Sequence, residues 1–222
     1  MPEGIRAKEN LLKHKSAILA FVVIIIIAGI AGAYLLTLPN NSGSNSPPVT
    51  ETLTLKTGDY ANYTVKTYEN GTVTAVYPVT WNVVEGTYNG TDCLVLEVST
   101  DMADKNSTTT STVYWYMDKA TYEGLSMKTQ TYIDGILVSE DESEFSGPPA
   151  YIDPQTIVGQ ETITVPAGTF ACNKVVVTDY GNTGNTANEW YSPEIPMGGL
   201  VKIETYKGTQ LTTVRELTAY GK

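Results

Sequence analysis

The sequence predicts an all-β protein: a large, curved antiparallel meander, a half-barrel-like sheet, tethered to one N-terminal transmembrane helix. Three observations predict this class. Residues 17–38 are apolar and uncharged. Beyond residue 51 the chain is rich in Thr, Val and Tyr, and it alternates polar and apolar residues without a 3.6-residue period. Turn dipeptides recur there at hairpin spacing.

The apolar run 17–38 predicts a transmembrane signal anchor. Its 22 residues hold no charge, and a helix of that length spans about 33 Å, close to the hydrocarbon thickness of a bilayer. Four bases precede the run, and the first Lys after it is Lys56. The positive-inside rule therefore places residues 1–16 in the cytoplasm as a basic flank and the C-terminal domain outside the cell. The lipid bilayer is the predicted partner of residues 17–38.

Two alternatives stay open for this segment. A signal peptidase could cleave at the small residues Ala31-Gly32-Ala33. An archaeal type IV pilin would instead be processed near Lys15-Ser16, in front of a similar apolar helix. A lipoprotein anchor is excluded, because no Cys follows the run at its end.

The next segment, residues 39–51, predicts a flexible linker, because Pro39 ends the helix and Asn, Ser, Gly and Pro follow. Residues 52–222 form the predicted extracellular β domain. The first 16 residues hold four bases and two acids, so 10 bases and 22 acids remain, a formal charge of −12. This acidity disfavours nucleic-acid binding, which needs clustered positive charge.

Residue types needed for catalysis are scarce in this domain. The single His of the chain, His14, lies in the basic flank, which excludes Ser-His-Asp catalysis and His-ligated zinc outside the membrane. The acidic run 140–144 lacks the spacing of a calcium loop, and we interpret it as a solvated strand end. The Gly-rich loop 181–186 lacks the Lys of a phosphate cradle. We expect no enzyme, cofactor or metal site; a carboxylate-based hydrolase is the least favoured alternative.

Alternation is clearest from Val73 to Val83, where every second residue is apolar. This pattern predicts a long strand with one buried face, and Pro78 on its other face predicts an edge or a bulge. A dozen strand candidates follow from the same criteria: 52–57, 60–69, 72–87, 92–100, 108–118, 122–133, 136–145, 157–165, 169–179, 188–192, 199–206 and 209–219.

Tight turns separate these candidates. Asn70-Gly71, Asn89-Gly90 and Asp134-Gly135 predict two-residue hairpins, because their residues tolerate positive φ. Pro166-Ala167-Gly168 predicts a tight corner, and the Pro-rich stretch from Gly147 to Pro154 predicts a loop or short helix between two halves of the meander. So many antiparallel strands predict a curved sheet, since flat sheets of that size are unusual.

Two cysteines, Cys93 and Cys172, lie within strand candidates. Outside the cell the simplest expectation is a disulfide between them, and two buried free thiols are the alternative.

Five asparagines begin N-x-Ser/Thr sequons on the predicted outer side of the membrane. We predict them as glycosylation sites, with unmodified turn Asn as the alternative for each. They are Asn40, Asn62, Asn70, Asn89 and Asn106.

Aromatic clusters are the candidate ligand face. In a strand, Tyr114 and Tyr116 face one way and Trp115 the other, so one set packs in the core and the other could line a concave apolar site. Core packing is the competing interpretation. The candidate residues are Trp81, Tyr114, Trp115, Tyr116, Trp190 and Tyr191.

Three strings in the C-terminal third resemble a group of membrane-anchored envelope proteins, many of them archaeal. The strings are Thr164–Phe170 (TVPAGTF), Glu189–Pro193 (EWYSP) and Gly199–Lys202 (GLVK), and Leu55–Tyr60 (LKTGDY) also looks like that group's opening. The group has a half-barrel fold like the periplasmic lipoprotein carriers. The resemblance implies a curved sheet with an apolar concave face, suited to lipid or another hydrophobic ligand, and it does not imply an enzyme.

The predicted function is that of a single-pass cell-surface protein whose β domain binds a hydrophobic or envelope ligand. The alternative is a structural subunit of a surface layer or pilus-like filament, which would offer a free strand edge to a neighbour.

Overall fold

The computed structural model describes residues 55–103, 107–147, 156–180 and 183–221, and every regular element in them is a β-strand. The all-β prediction is confirmed. The predicted flank, signal anchor and linker (1–16, 17–38 and 39–51) lie outside the described residues. No helix in the described part of the chain is long and apolar enough to cross a membrane. The strands are β1 Tyr60–Glu69, β2 Thr72–Tyr88, β3 Thr91–Ala103, β4 Thr108–Asp118, β5 Gly124–Ile133, β6 Ile136–Gly147, β7 Thr156–Val165, β8 Gly168–Tyr180, β9 Asn185–Tyr191, β10 Leu200–Lys207 and β11 Gln210–Gly221.

The strands form one open antiparallel sheet of 11 strands in the order β6-β5-β4-β3-β2-β1-β11-β10-β9-β8-β7. It consists of two meanders, β1–β6 and β7–β11, that join where β1 pairs with β11. The residues from Tyr60 to Thr67 pair with those from Gly221 to Thr213. The strands at the two outer edges, β6 and β7, are consecutive in sequence.

This connectivity requires strong curvature. Eleven strands laid flat would separate the edges by about 48 Å, whereas the stretch between Gly147 and Thr156 reaches at most about 32 Å. The described contacts agree, because β7 approaches β10 and β11, three and four places away in the sheet order. The turn between β7 and β8 also bonds to β11, with the Ala167 amide donating to the Leu217 carbonyl at 3.1 Å.

The predicted hairpin turns are confirmed. Asn70-Gly71, Asn89-Gly90 and Asp134-Gly135 have φ values of 50° and 77°, 49° and 78°, and 52° and 78°. Two consecutive positive φ angles define the type I′ turn, whose twist matches that of the flanking strands.

The strand candidate 52–57 is wrong in its described part. Residues from Leu55 to Asp59 form a turn, in which the Lys56 amide donates to the Asp59 carboxylate at 3.0 Å and Gly58 has φ 95°. The Gly58 amide donates to the Val83 carbonyl at 2.9 Å, so the turn is bound to β2. A local side chain-to-backbone bond competes here with strand formation.

The hydrogen-bond ladder between β2 and β3 stops next to Pro78, where the sequence predicted an edge or a bulge. The β2–β3 pairing begins only at Val79, opposite Thr100. The Thr100 hydroxyl donates to the Pro78 carbonyl at 2.8 Å, so the polar backbone groups of Pro78 face β3. Since Pro offers no N–H on that side, β2 continues past Pro78 paired with β1 alone among the described strands.

One face of the sheet carries the main core, and we call it the concave face. It is defined by Val65, Trp81, Val98, Val113 and Ile203, each at most 3% exposed. Ala61, Trp81, Val98 and Val113 form one row across β1 to β4. The opposite face is the convex face.

Substitution of Gly199 tests how closely the backbone packs just before β10. It has φ +84°, and a Cβ there would lie 2.6 Å from the Ser192 carbonyl oxygen. We expect Gly199→Ala to lower the free energy of unfolding by about 2–4 kcal/mol, because a left-handed backbone and a backbone clash add together.

Urea unfolding of the purified chain, followed by tryptophan fluorescence, measures this difference. Gly208→Ala is the matched control, because Gly208 has φ +62° and open space around it. If both variants lose the same free energy, close approach to Ser192 contributes nothing.

Candidate functional site

The structure divides the predicted ligand-face aromatics between core and surface. Trp81, Trp115, Trp190 and Tyr191 are buried, at 5% exposure or less. The Trp81 ring packs against Tyr63 with centroids 5.4 Å apart. These rings therefore belong to the core, and the competing interpretation of core packing is the better one for them.

The two remaining candidates, Tyr114 and Tyr116, lie half-buried on the convex face. Tyr116 contacts Tyr88 with centroids 5.4 Å apart, and Tyr114 pairs across strands with Lys128. The alternation argument thus separated the two sets correctly, but it could not say which set faces the core.

A buried polar layer crosses the concave face. Its charged members, Glu189 and Arg215, lie in one cross-strand row on either side of Ile203. Glu189 is 0% exposed and Arg215 is 2% exposed. Tyr63, Tyr180 and Tyr191 complete this buried polar layer, and burial raises the pKa of all three phenols.

Glu189 is the most perturbed carboxyl of this layer. Burial raises the pKa of Glu189 to about 7, while the hydrogen bond from Tyr191 and the charge of Arg215 oppose that rise. The Tyr191 hydroxyl donates to Glu189 Oε2 at 2.5 Å. At neutral pH this carboxyl is therefore partly protonated and can donate as well as accept.

The Arg215 guanidinium lies over aromatic rings. Its Cζ is 5.9 Å from the centroid of Tyr63 and 5.9 Å from that of Trp81. Such contacts stabilise a cation that has been removed from water. The Tyr63 hydroxyl donates to the Leu200 carbonyl at 3.2 Å, which holds its ring in place.

Three polar atoms on the concave face are buried without a hydrogen-bond partner: Glu189 Oε1, Trp81 Nε1 and Ser111 Oγ. They come from β9, β2 and β4, and their residues are 0%, 1% and 1% exposed. Buried polar atoms are nearly always bonded, to protein, water or ligand. This face therefore carries one acceptor, one donor and one hydroxyl that no protein group satisfies.

Sequence reasoning did not find this layer. A signal was present, because alternation places Glu189 with Tyr191 on one face of β9 and Trp190 on the other. Trp190 is covered by Lys174 and Lys202, whose Nζ atoms lie 5.1 and 5.5 Å from its centroid. The indication that was missed is a charged residue, Glu189, at a position of β9 where alternation predicts a buried side chain.

The predicted disulfide is not present. Cys93 and Cys172 are both buried free thiols, as the alternative proposed. Cys172 belongs to the hydrophobic core cluster and Cys93 does not. They lie in β8 and β3, with five strands between them in the sheet, so the sheet itself keeps the thiols apart.

The acidic run 140–144 lies on the edge strand β6 and is exposed, as expected of a solvated strand end. Within the described part of the chain no three His, Cys, Asp or Glu side chains gather as a metal site would need.

Fold and site together define an all-β protein built on one open sheet with a buried polar layer. Residues 128–217 match the family described as DUF3108-like. This is less than half of the chain, and it runs from β5 to β11, including Glu189 and Arg215. No curated protein matches the chain.

Burial of Glu189 should make the free energy of unfolding depend on pH, in a direction that its raised pKa defines. Its pKa rises from 4.5 to about 7 on folding, so the folded state binds the proton more tightly. The free energy of unfolding should therefore fall as pH rises through this window, by about 3 kcal/mol in all. In Glu189→Gln, which resembles the protonated acid, this fall should be absent.

Urea unfolding at a series of pH values between about 4 and 8 measures the free energy of unfolding of the wild-type chain and of Glu189→Gln. Glu161→Gln is the control: its carboxylate is exposed and bonds Lys174 and Trp190. Its pKa is lowered, so its loss should destabilise at high pH rather than stabilise. A Glu189→Gln profile parallel to that of the unchanged chain would contradict the assignment.

The sequons differ in accessibility. Asn70 and Asn89 lie exposed at hairpin tips, whereas Asn62 is half-buried in β1, paired between β2 and β11. Asn40 and Asn106 lie outside the described residues. In a glycosylating host we expect glycans at Asn70 and Asn89 and none at Asn62, and glycopeptide mass spectrometry measures each occupancy. A glycan at Asn62 on the folded chain would contradict this ranking.

Proposed function

We propose that the protein is a non-catalytic, single-pass cell-surface protein whose half-barrel-like β domain binds a hydrophobic ligand on its concave face. Residues 17–38 anchor it in the bilayer, the N-terminus is cytoplasmic and the β domain is extracellular. The observation that carries the ligand site is the set of buried polar atoms without protein partners, Glu189 Oε1, Trp81 Nε1 and Ser111 Oγ, on an otherwise apolar face.

The chemistry of this face defines the ligand. Valine and tryptophan side chains, among them Val98 and Val113, are fully buried in the concave core and would contact an alkyl or isoprenoid body once this face opens. Glu189 Oε1 offers an acceptor and Trp81 Nε1 a donor to polar groups of the ligand. A hydroxyl can pair with either of them, since it can donate to the carboxylate or accept from the indole N–H.

Access to this face would pass the turn between β7 and β8. The contacts near this turn include the Ala167–Leu217 hydrogen bond and the edge-to-face stacking of Phe170, at the start of β8, on Tyr220 at 5.8 Å. Neither contact belongs to a pairing ladder of the sheet. The turn can therefore separate from β11 while the strand pairing stays intact.

A structural subunit of a surface layer or pilus-like filament is the second candidate. The open edges of β6 and β7 favour it, because an unpaired strand can accept a neighbour's strand. Acidic residues along β6 oppose its pairing with a second copy of the same strand.

Native mass spectrometry of the chain after gentle detergent extraction tests ligand binding. We expect a co-purified molecule of lipid mass that extracts into organic solvent. A chain without any bound molecule, which also fails to bind anilinonaphthalene sulfonate, would contradict the proposal.

Ser111→Ala tests the position of the ligand. Loss of one hydrogen bond should weaken binding of anilinonaphthalene sulfonate about fivefold. The fold should remain, because this hydroxyl has no protein partner. Ser192→Ala is the matched control, because Ser192 is equally buried and unpartnered but follows β9 in a loop. Equal effects of both variants would place the ligand elsewhere.

A further inference from the structure

The outermost strand β6 begins with three consecutive exposed apolar residues. Ile136, Leu137 and Val138 are 69%, 46% and 52% exposed. β6 pairs with β5 on one side, and among the described residues no strand pairs with its outer side. An edge of this kind presents a row of free backbone N–H and C=O groups and is a template for another extended segment.

The remainder of β6 is acidic. Glu140, Asp141, Glu142 and Glu144 follow the apolar residues, and all four are exposed. In the hairpin of β5 and β6 the one base is Lys128, which pairs with Glu140 at 3.1 Å. Lys128 also lies opposite Glu142 in the strand register, so one base faces four acids and the edge keeps an excess of negative charge.

These charges select the occupant. A second copy pairing along β6 would place carboxylates opposite carboxylates, which destabilises a cross-strand pair. A cationic segment would gain from the same positions, because opposite charges across strands attract. The apolar start of β6 in turn favours apolar residues opposite it.

We propose that β6 binds an extended cationic-apolar segment of another protein as a twelfth, antiparallel strand. Every strand pair of the sheet is antiparallel, and in that orientation the partner runs from its basic to its apolar end. Its Lys or Arg residues then lie opposite Glu142 and Glu140, which alternate along the strand. The register of β6 shifts at Val138, so three consecutive apolar residues of the partner lie opposite Val138, Leu137 and Ile136.

A seven-residue peptide with Lys at its first and third positions and Val at its fifth, sixth and seventh, labelled with a fluorophore, is the probe. Fluorescence anisotropy measures its binding to the full chain. A peptide of reversed sequence has the same composition and charge but sets Val against the acids in the antiparallel register. We expect the forward peptide to bind roughly tenfold more tightly.

Glu142→Lys should weaken forward-peptide binding roughly tenfold, and Glu69→Lys, the same charge change at the exposed tip of β1, should leave it within a factor of about two. Equal binding of the two peptides, or equal effects of the two variants, would reduce the interaction to nonspecific charge attraction and overturn the proposal. The edge lies apart from the concave face, so neither outcome bears on ligand binding there.

Discussion

The pairing of β1 with β11 is the interaction on which the rest of the structure depends. It joins two meanders that would otherwise be separate sheets, and it connects residues 150 positions apart, as in the 3.2 Å ion pair between Lys66 and Glu216. Because the two edge strands are consecutive in sequence, a sheet joined in this way must curve. Curvature creates the concave face and buries it. Contacts between residues so far apart in sequence form late in folding, because closing the long loop between them costs entropy. We therefore expect the chain to fold slowly.

Curvature also explains the buried polar layer. Pairing of β11 with β1 and β10 brings Arg215 beside Val65 and Ile203, and pairing of β10 with β9 adds Glu189 to the same row. Charged side chains lose hydration when buried, at a cost of several kcal/mol each. The chain offsets part of that cost with rings around Arg215 and a tyrosine hydroxyl on Glu189. A purely apolar layer would avoid this cost, and this is the physical reason for the proposal that the layer serves binding.

The two faces of the sheet have different chemistry. The concave face is apolar with a few polar atoms, whereas the convex face carries ion pairs such as Lys174 with Glu161 at 3.1 Å and Lys202 with Glu204 at 2.8 Å. Those pairs are partly exposed to solvent, so each contributes only modestly to stability. Stability therefore resides in the concave core, and the edges are left for contacts with other molecules.

Local features were predictable from the sequence because local forces decide them. Asn-Gly and Asp-Gly turns adopt positive φ wherever they occur, so the hairpins and most strand bounds followed directly. The turn at Leu55–Asp59 was missed, because an Asp side chain captured a backbone amide that the strand pattern assigned to a ladder. Alternation alone could not decide that Glu189 is buried, or which aromatic residues face the core. Both depend on which face of the sheet curves inward.

By itself the sequence determined that the described chain is all-β, where its turns lie, and which residues share a face of a strand, since these depend on neighbours along the chain. Only the tertiary structure decided that Cys93 and Cys172 are free thiols on strands far apart in the sheet, that Trp81 packs against Tyr63, and that Glu189 shares a row with Arg215. The order of strands in the sheet decides these relations. Pairing between distant strands sets that order, and no local pattern records it.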